Sequence, residues 1–359
     1  MEPYFAHTDL LDPPTRRAAY SDRTSYLMAE MSRLAYFRFE GGSNIKDILE
    51  EAKQFVPDEE KWQALAALIE NHIPRSGPEE GKRLLDGILQ ERGFALVDTF
   101  DEPATGAQAF LCASDSREMA VLAFRGTEAT LKDIKTDVRA QLTTADVNGE
   151  KVLIHSGYYD QFSSVKAKIE TALQDERVKG KQIFITGHSL GGALAITAVR
   201  FLPEDGIGAC YTFGSPPVGT KEFDYDIRTP IYRIVNHVDI VPRLPNPVMV
   251  YIIRGIGMGV SFLLTPVTGL NARIQESRWY KRLSRLLLDA QQYRQSGYGS
   301  YLVGQGNGVR LRYSVSVVDK LRWWARQIPN LFKGDFQLLT DHSIETYSQK
   351  LATWAEKRH

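Results

Sequence analysis

Hydrophobic and polar positions divide the chain into stretches with two different periods. From about 22 to 92 apolar residues recur three and four apart, as at Leu27, Met28, Met31 and Leu34 and again at Trp62, Leu65, Leu68 and Ile69. That spacing predicts a mainly helical N-terminal region. Beyond it the period shortens, and β-branched and aromatic runs at Phe94–Val97, Ala107–Ala113 and Met119–Phe124 predict strands. A mostly polar stretch from Glu128 to Lys151 leads to a further run at Val152–His155 and a helical pattern after Tyr158. The charge-free Gln182–Thr186 reads as a buried strand, Ala193–Val199 as a helix continuing towards Phe201 and Leu202, and Ala209–Phe213 and Ile231–Val235 as strands. Strands alternating with helices imply an α/β fold, a largely parallel sheet covered on both faces.

From about 246 to 334 this rhythm breaks. The segment opens apolar at Val248–Ile253 and Phe262–Leu264, then turns basic with Arg273, Arg278, Lys281, Arg282, Arg285 and Arg294. Strand character returns at Val309–Val317, and Trp323-Trp324 lies on a further basic, helix-like stretch. The expected organisation is a helical extension over 1–92 packed on the core, a core over 93–245, an inserted apolar and basic cap or lid-like segment over 246–308, and a C-terminal part of the core over 309–359. No internal repeat or low-complexity tract interrupts it.

Composition adds exclusions. With 359 residues a large core can be buried, and 44 basic against 44 acidic side chains give no global field for nucleic acid. Cys112 and Cys210 both sit in apolar strand-like runs, which predicts reduced core residues, neither a disulfide framework nor a metal site. Met1-Glu2-Pro3-Tyr4 lacks the basic and apolar regions of a signal peptide, so the expectation is cytoplasmic residence, with secretion by a route needing no cleaved signal as the alternative.

The candidate chemistry centres on Gly187-His188-Ser189-Leu190-Gly191-Gly192, between the predicted strand and helix. A strand, a sharp Gly-x-Ser-x-Gly turn and a helix form the nucleophile elbow of α/β-hydrolases, in which a Cβ on the flanking glycines would clash. A serine hydroxyl needs a histidine to accept its proton and a carboxylate to orient that imidazole. In such folds the chain order is Ser, Asp or Glu, then His. His237, His342 and His359 follow Ser189. His237 lies where the carboxylate is expected and His359 is the last residue, so His342 is the predicted base. Asp239 follows the Ile231–Val235 strand directly, at the carboxyl end that holds such sites. Asp341 adjoins His342, while Asp224, Asp226 and Asp289 lack a preceding buried strand, so Asp239 is the predicted acid. The Leu190 N–H and Thr127, at the junction after Met119–Phe124, are the predicted oxyanion-hole donors. His188 is read as packing and His155 as a hydrogen-bonding residue near the site.

These residues resemble the class 3 lipases, the fungal-lipase-like branch of the α/β-hydrolases. The resemblance rests on Phe124-Arg125-Gly126-Thr127, His155-Ser156-Gly157-Tyr158, the Ser189 elbow, Tyr211-Thr212-Phe213-Gly214-Ser215-Pro216, Val235-Asn236 with Asp239 and Val241-Pro242-Arg243-Leu244-Pro245, and His342 with Tyr347. These motifs stand in the family's order over about 94–245 and again near 309–350. The resemblance implies hydrolysis of acylglycerols or related lipid esters, with Ser189, Asp239 and His342 as the triad, Thr127 at the oxyanion hole, and no metal or organic cofactor. Two departures stand out. The polar Glu128–Lys151 stretch is unlike the family's apolar lid, and the insertion after Pro245 and the helical N-terminal region are unusual.

The apolar stretch Pro247–Val267 is interrupted by Arg254, and a charge near a bilayer centre costs about 2.5–3.5 kcal/mol. A single crossing there would also separate Asp239 from His342, so the segment is expected to cover an acyl pocket, replace a lid or lie in a lipid interface. Peripheral membrane contact through 247–285 follows as an expectation, the basic residues being either a solvated helix face or an attraction for anionic headgroups. Trp323-Trp324 read as core packing or a lipid anchor. Two other classes stay open at this stage: a catalytically silent binding module on the same fold, and an amidase or peptidase using the same three groups.

Overall fold

The computed structural model describes residues 3–14, 19–37, 78–126, 141–147, 149–203, 206–237, 239, 241–243, 292–305, 308–316 and 341–358. Helix α1 (Asp22–Leu34) opens the described fold. Ser21 caps it by accepting the Thr24 N–H at 3.3 Å, and Asp22 and Arg33 complement the dipole at its two ends. Helix α2 (Pro78–Gln90) precedes three strands, β1 (Ala95–Glu102), β2 (Ala107–Ser114) and β3 (Met119–Phe124). A hairpin follows, β4 (Leu142–Val147) with β5 (Glu150–His155), then α3 (Ser156–Ala172). The chain continues through β6 (Gln182–His188), α4 (Leu190–Phe201), β7 (Ile207–Phe213), β8 (Ile231–Asn236), β9 (Tyr298–Gln305), β10 (Gly308–Arg312) and α5 (Ile344–Glu356).

Eight of these strands form one sheet in the order β1-β2-β3-β6-β7-β8-β9-β10. The five central strands, β3, β6, β7, β8 and β9, run parallel, and antiparallel strands close each edge. This is an α/β fold, a mostly parallel sheet with helices on both faces.

The period-2 reading of the strands explains the two cores. In β3, Met119, Val121 and Ala123 join α1 and α5 on one face, while Ala120, Leu122 and Phe124 join α3 and α4 on the other. Both faces of the central strands are therefore buried, which is why their sequences read as continuous apolar runs. Burying a side chain such as Leu122 or Phe124 completely contributes about 1.5–3 kcal/mol each. Cys112 and Cys210 are buried, reduced members of the two cores.

The segment expected as a cap over 246–308 needs correction at its end. Residues 298–305 form β9, which pairs with β8 inside the main sheet, so the last part of that segment is core. The strand expected over 309–317 spans 308–312. The polar stretch before β5 contains β4, whose alternation of exposed Thr144 and Asp146 with buried Ala145 and Val147 belongs to a separate two-stranded sheet. The helical expectation over 22–92 covers α1 and α2, while 38–77, Thr127, the apolar and basic residues of 247–285, and Trp323-Trp324 lie outside the described residues. Among the described residues, no helix is long and apolar enough to cross a membrane.

Candidate active site

The carboxyl ends of β3, β6, β7 and β8 meet at one edge of the sheet, and each contributes to a single cluster. At the end of β6 the chain turns into α4 through Ser189, which takes φ 56° and ψ −125°. A positive φ at a residue with a Cβ stores of order 1–3 kcal/mol and persists only where the surroundings enforce it. Here they do. A Cβ on Gly187 would lie 2.1 Å from the Gly191 carbonyl oxygen, and one on Gly191 would lie 2.3 Å from that of Phe124. The backbones of β3, β6 and α4 are thus in contact around the serine, whose own N–H donates to the Phe213 carbonyl of β7 at 2.9 Å.

His342, just ahead of α5, brings its imidazole to this serine. Its Nε2 lies 2.8 Å from Ser189 Oγ and its Nδ1 2.8 Å from Asp239 Oδ2. The three groups are 9%, 8% and 0% exposed for Ser189, His342 and Asp239. Residues separated by 153 and 103 positions therefore form one hydrogen-bonded line. In the orientation suited to proton transfer, Ser189 O–H donates to Nε2 and the Nδ1–H donates to the carboxylate.

Asp239 is held on every side. The Val241 N–H donates to its Oδ1 at 2.9 Å, and the Tyr347 hydroxyl of α5 donates to its Oδ2 at 2.6 Å. That hydroxyl in turn accepts the Asn236 N–H at 2.9 Å. Burial and the neighbouring Asp239 charge push the Tyr347 hydroxyl well above the usual tyrosine range, so it stays protonated and donates. A buried carboxylate needs hydrogen-bond donors to offset its lost hydration, and Val241, Tyr347 and His342 supply three. Gly214, at φ 60°, leaves room for the line: a Cβ there would stand 2.9 Å from Asp239 Oδ2 and 3.0 Å from His342 Cε1.

The backbone carrying the imidazole is gripped by side chains from two strand ends. Asn236 Nδ2 donates to the Asp341 carbonyl at 2.7 Å, and Lys350 Nζ donates to Asn236 Oδ1 at 2.8 Å. His188 Nε2 lies 2.6 Å from the His342 carbonyl, and its Nδ1 2.8 Å from the Tyr36 hydroxyl. Burial, with His342 nearby, holds the His188 imidazole well below the usual histidine range, so it is neutral.

Of the residues singled out in the sequence, Ser189, Asp239 and His342 come together. Leu190 opens α4, where the backbone N–H has no intrahelical partner and points out of the helix N-terminus. Thr127 lies outside the described residues, although Gly126 before it sits against the elbow, where a Cβ would be 2.6 Å from the His188 carbonyl. His155 is the N-cap of α3: its Nδ1 accepts the Gly157 N–H at 3.1 Å and its ring stacks on Tyr158. Sequence reading missed Tyr36 altogether and gave no role to Asn236 or Tyr347, although both stood in the motifs; the spacing from His342 to Tyr347 was the available signal. Among the described residues there is no group of three or more metal-ligating side chains.

A serine at a strained strand-to-helix turn, joined through an imidazole to a carboxylate beyond the next parallel strands, is the arrangement of a nucleophile elbow with a base and an acid in line behind it. Comparison with known proteins narrows the class. Residues 121–249 match the family model described as lipase (class 3). The secreted mono- and diacylglycerol lipase 1 of Fusarium solani is 33% identical over 153 residues, which are 41% of this chain and 45% of that one. A lipase of Rhizomucor miehei is 30% identical over 161 residues, 42% of this chain and 44% of that one. The crystal structure of a lipase from Rhizopus microsporus var. chinensis aligns with a TM-score of 0.44 and 21% identity, covering 65% of this chain and 69% of that one. The chain spans under half the length of the two curated relatives.

Proposed function

We propose that this protein hydrolyses carboxylic esters of lipids through an acyl-enzyme intermediate, with Ser189 as nucleophile, His342 as general base and then acid, and Asp239 as the group that orients and stabilises the imidazolium. The observation that carries this reading is the unbroken line Ser189–His342–Asp239, with both contacts at 2.8 Å and the serine held in an elbow of positive φ. Ser189 Oγ attacks the ester carbonyl while His342 Nε2 takes its proton. The negative charge on the tetrahedral intermediate falls to the Leu190 N–H and, by proposal, to Thr127. Collapse expels the alcohol with the proton from His342, and water repeats the sequence in reverse to release the fatty acid. Each oxyanion donor contributes about 2.7–4 kcal/mol to such a transition state.

Acylglycerols are the proposed substrate class, on the matched segment and on the name of the Fusarium relative, which also describes that protein as secreted and so favours export over cytoplasmic residence. The 246–297 insertion is proposed as the acyl-pocket cover or lipid-interface element. The test is a lipid panel of emulsified triacylglycerol, diacylglycerol and phospholipid with product analysis by mass spectrometry, alongside matched soluble esters and amides. Release of fatty acid from acylglycerols, lost in Ser189→Ala, is expected. Amide cleavage at rates matching the esters would point to an amidase or peptidase, and no turnover of any substrate to a binding module.

A further inference from the structure

We infer that Tyr36 is a positioning residue for the reaction: its hydroxyl fixes the tautomer of His188, and His188 in that tautomer holds the backbone of His342 in reach of Ser189. The inference rests on the proposed reaction at Ser189 and adds a residue from outside the matched 121–249 segment.

The geometry leaves one consistent assignment of protons. The His342 carbonyl oxygen, 2.6 Å from His188 Nε2, can only accept, so Nε2 carries the hydrogen. The buried ring is neutral, which leaves Nδ1 with a lone pair, and the Tyr36 hydroxyl at 2.8 Å donates to it. In the opposite tautomer two lone pairs would face each other across the 2.6 Å gap to the carbonyl. Removing the Tyr36 O–H withdraws the donor that stabilises the useful tautomer and lets the other compete.

The consequence reaches the reacting atoms through the peptide that carries the imidazole. Two side-chain donors hold consecutive carbonyls there, Asn236 Nδ2 at Asp341 and His188 Nε2 at His342. The His188 and His342 rings also lie close, with centroids 4.6 Å apart. Loosening one grip changes the approach of Nε2 to Ser189, and misplacement of a catalytic group by about 1 Å costs on the order of a hundredfold in rate.

Tyr36 is itself fixed for this task. It sits in the turn after α1, its N–H donating to the Arg33 carbonyl at 3.1 Å. Helix α1 is tied to the strand that carries His188: Ser32 Oγ lies 2.8 Å from Thr186 Oγ1, which donates to the Met28 carbonyl at 3.2 Å. The Tyr36 hydroxyl also occupies the space above Gly126, where a Cβ would come within 2.2 Å of it. A role through Gly126 and the oxyanion turn is therefore the competing route, and the experiment separates the two.

The full-length protein is labelled with 15N-histidine, and the His188 ring signals are assigned by their loss in His188→Gln. A pyridine-type Nδ1 and a pyrrole-type Nε2 are expected in the wild type, and a tautomer mixture in Tyr36→Phe. On a soluble short-chain ester, Tyr36→Phe is expected to lower kcat about tenfold with KM unchanged, the loss of one buried hydrogen bond. In the His188→Gln background the same substitution should add nothing. The inference is overturned by unchanged ring shifts in Tyr36→Phe, by losses that multiply in the double variant, or by a lower melting temperature with kcat per folded molecule preserved. If the wild type neither turns over ester nor differs from Ser189→Ala, the reaction reading fails, while the ring shifts still decide the Tyr36–His188 link.

Discussion

Asp239→Asn tests the proposed proton line at the point where the structure makes the sharpest forecast. The carboxylate accepts three hydrogens, one from Val241 N–H on Oδ1 and two, from His342 and Tyr347, on Oδ2. An asparagine has one acceptor oxygen and one amide, so it cannot serve both sides. With its oxygen kept towards Val241, its NH2 faces His342 Nδ1 and drives the imidazole into the tautomer with hydrogen on Nε2. That hydrogen then points at Ser189 Oγ, and the base is gone. The flipped amide would restore the useful tautomer but set NH2 against the buried Val241 N–H, leaving that donor unpaired at about 1–3 kcal/mol. In the first arrangement the Tyr347 hydroxyl loses its acceptor but can rotate and accept from the NH2, whereas the Val241 N–H can only donate, so the inactive arrangement is the favoured one. The expected loss is on the order of 10⁴ in kcat, about 5.5 kcal/mol in the barrier, with KM little changed because no substrate contact is removed. Hydrolysis of a water-soluble p-nitrophenyl ester measures it, with thermal melting to establish that the variant is folded. Activity of a folded variant within tenfold of wild type would refute the reasoning.

Three further outcomes follow from the same contacts. Gly214→Ala should cut kcat strongly at nearly native ester affinity, because the new methyl meets Asp239 and His342 at 2.9–3.0 Å and the φ of 60° adds about 1–2 kcal/mol of backbone cost; wild-type turnover in kinetics would contradict it. Folding stability should fall on acidification below about pH 6.5, where the unfolded chain protonates His188 and the folded one, with its imidazole depressed by burial, does not. The slope from this group is about 1.4 kcal/mol per pH unit; it vanishes at neutral pH, where both states are unprotonated, and should be absent from denaturant titrations of His188→Gln. Glu30, 1% exposed, accepts from the Phe5 N–H, Ser348 of α5 and Arg33. Glu30→Ala should cost about 3 kcal/mol in unfolding experiments, the low end for a broken buried pair because Glu345 remains 3.8 Å from Arg33.

Much of this architecture was legible along the chain. Strands β2, β3, β6, β7 and β8 are largely buried on both faces and mostly apolar, and declare themselves without knowledge of their partners. The elbow is readable because its glycines and serine are adjacent, and Asp239 and His342 because chain order leaves few candidates. Strand β9 escaped because Tyr298-Gly299-Ser300-Tyr301 mixes glycine and serine with tyrosines, the first of them exposed, and what makes it a strand is its pairing with β8. Strand β4 escaped because it lies in a two-stranded hairpin whose outward positions are polar. The grip of Tyr36 on His188 joins residues 152 positions apart, and no local pattern records such a meeting. The long segments between Arg243 and Tyr293 and before Asp341 carry the readings on lipid contact, which rest on their apolar and basic composition alone.

The central claim, that the hydroxyl at 189 is a nucleophile activated by the imidazole at 342, is tested most directly by intact mass and peptide mapping after treatment with a fluorophosphonate. One phosphonyl adduct per chain, located on Ser189 and formed far more slowly in His342→Ala, is the predicted result. An unmodified wild-type protein under conditions that label a known serine esterase, or an adduct on another residue, would contradict it.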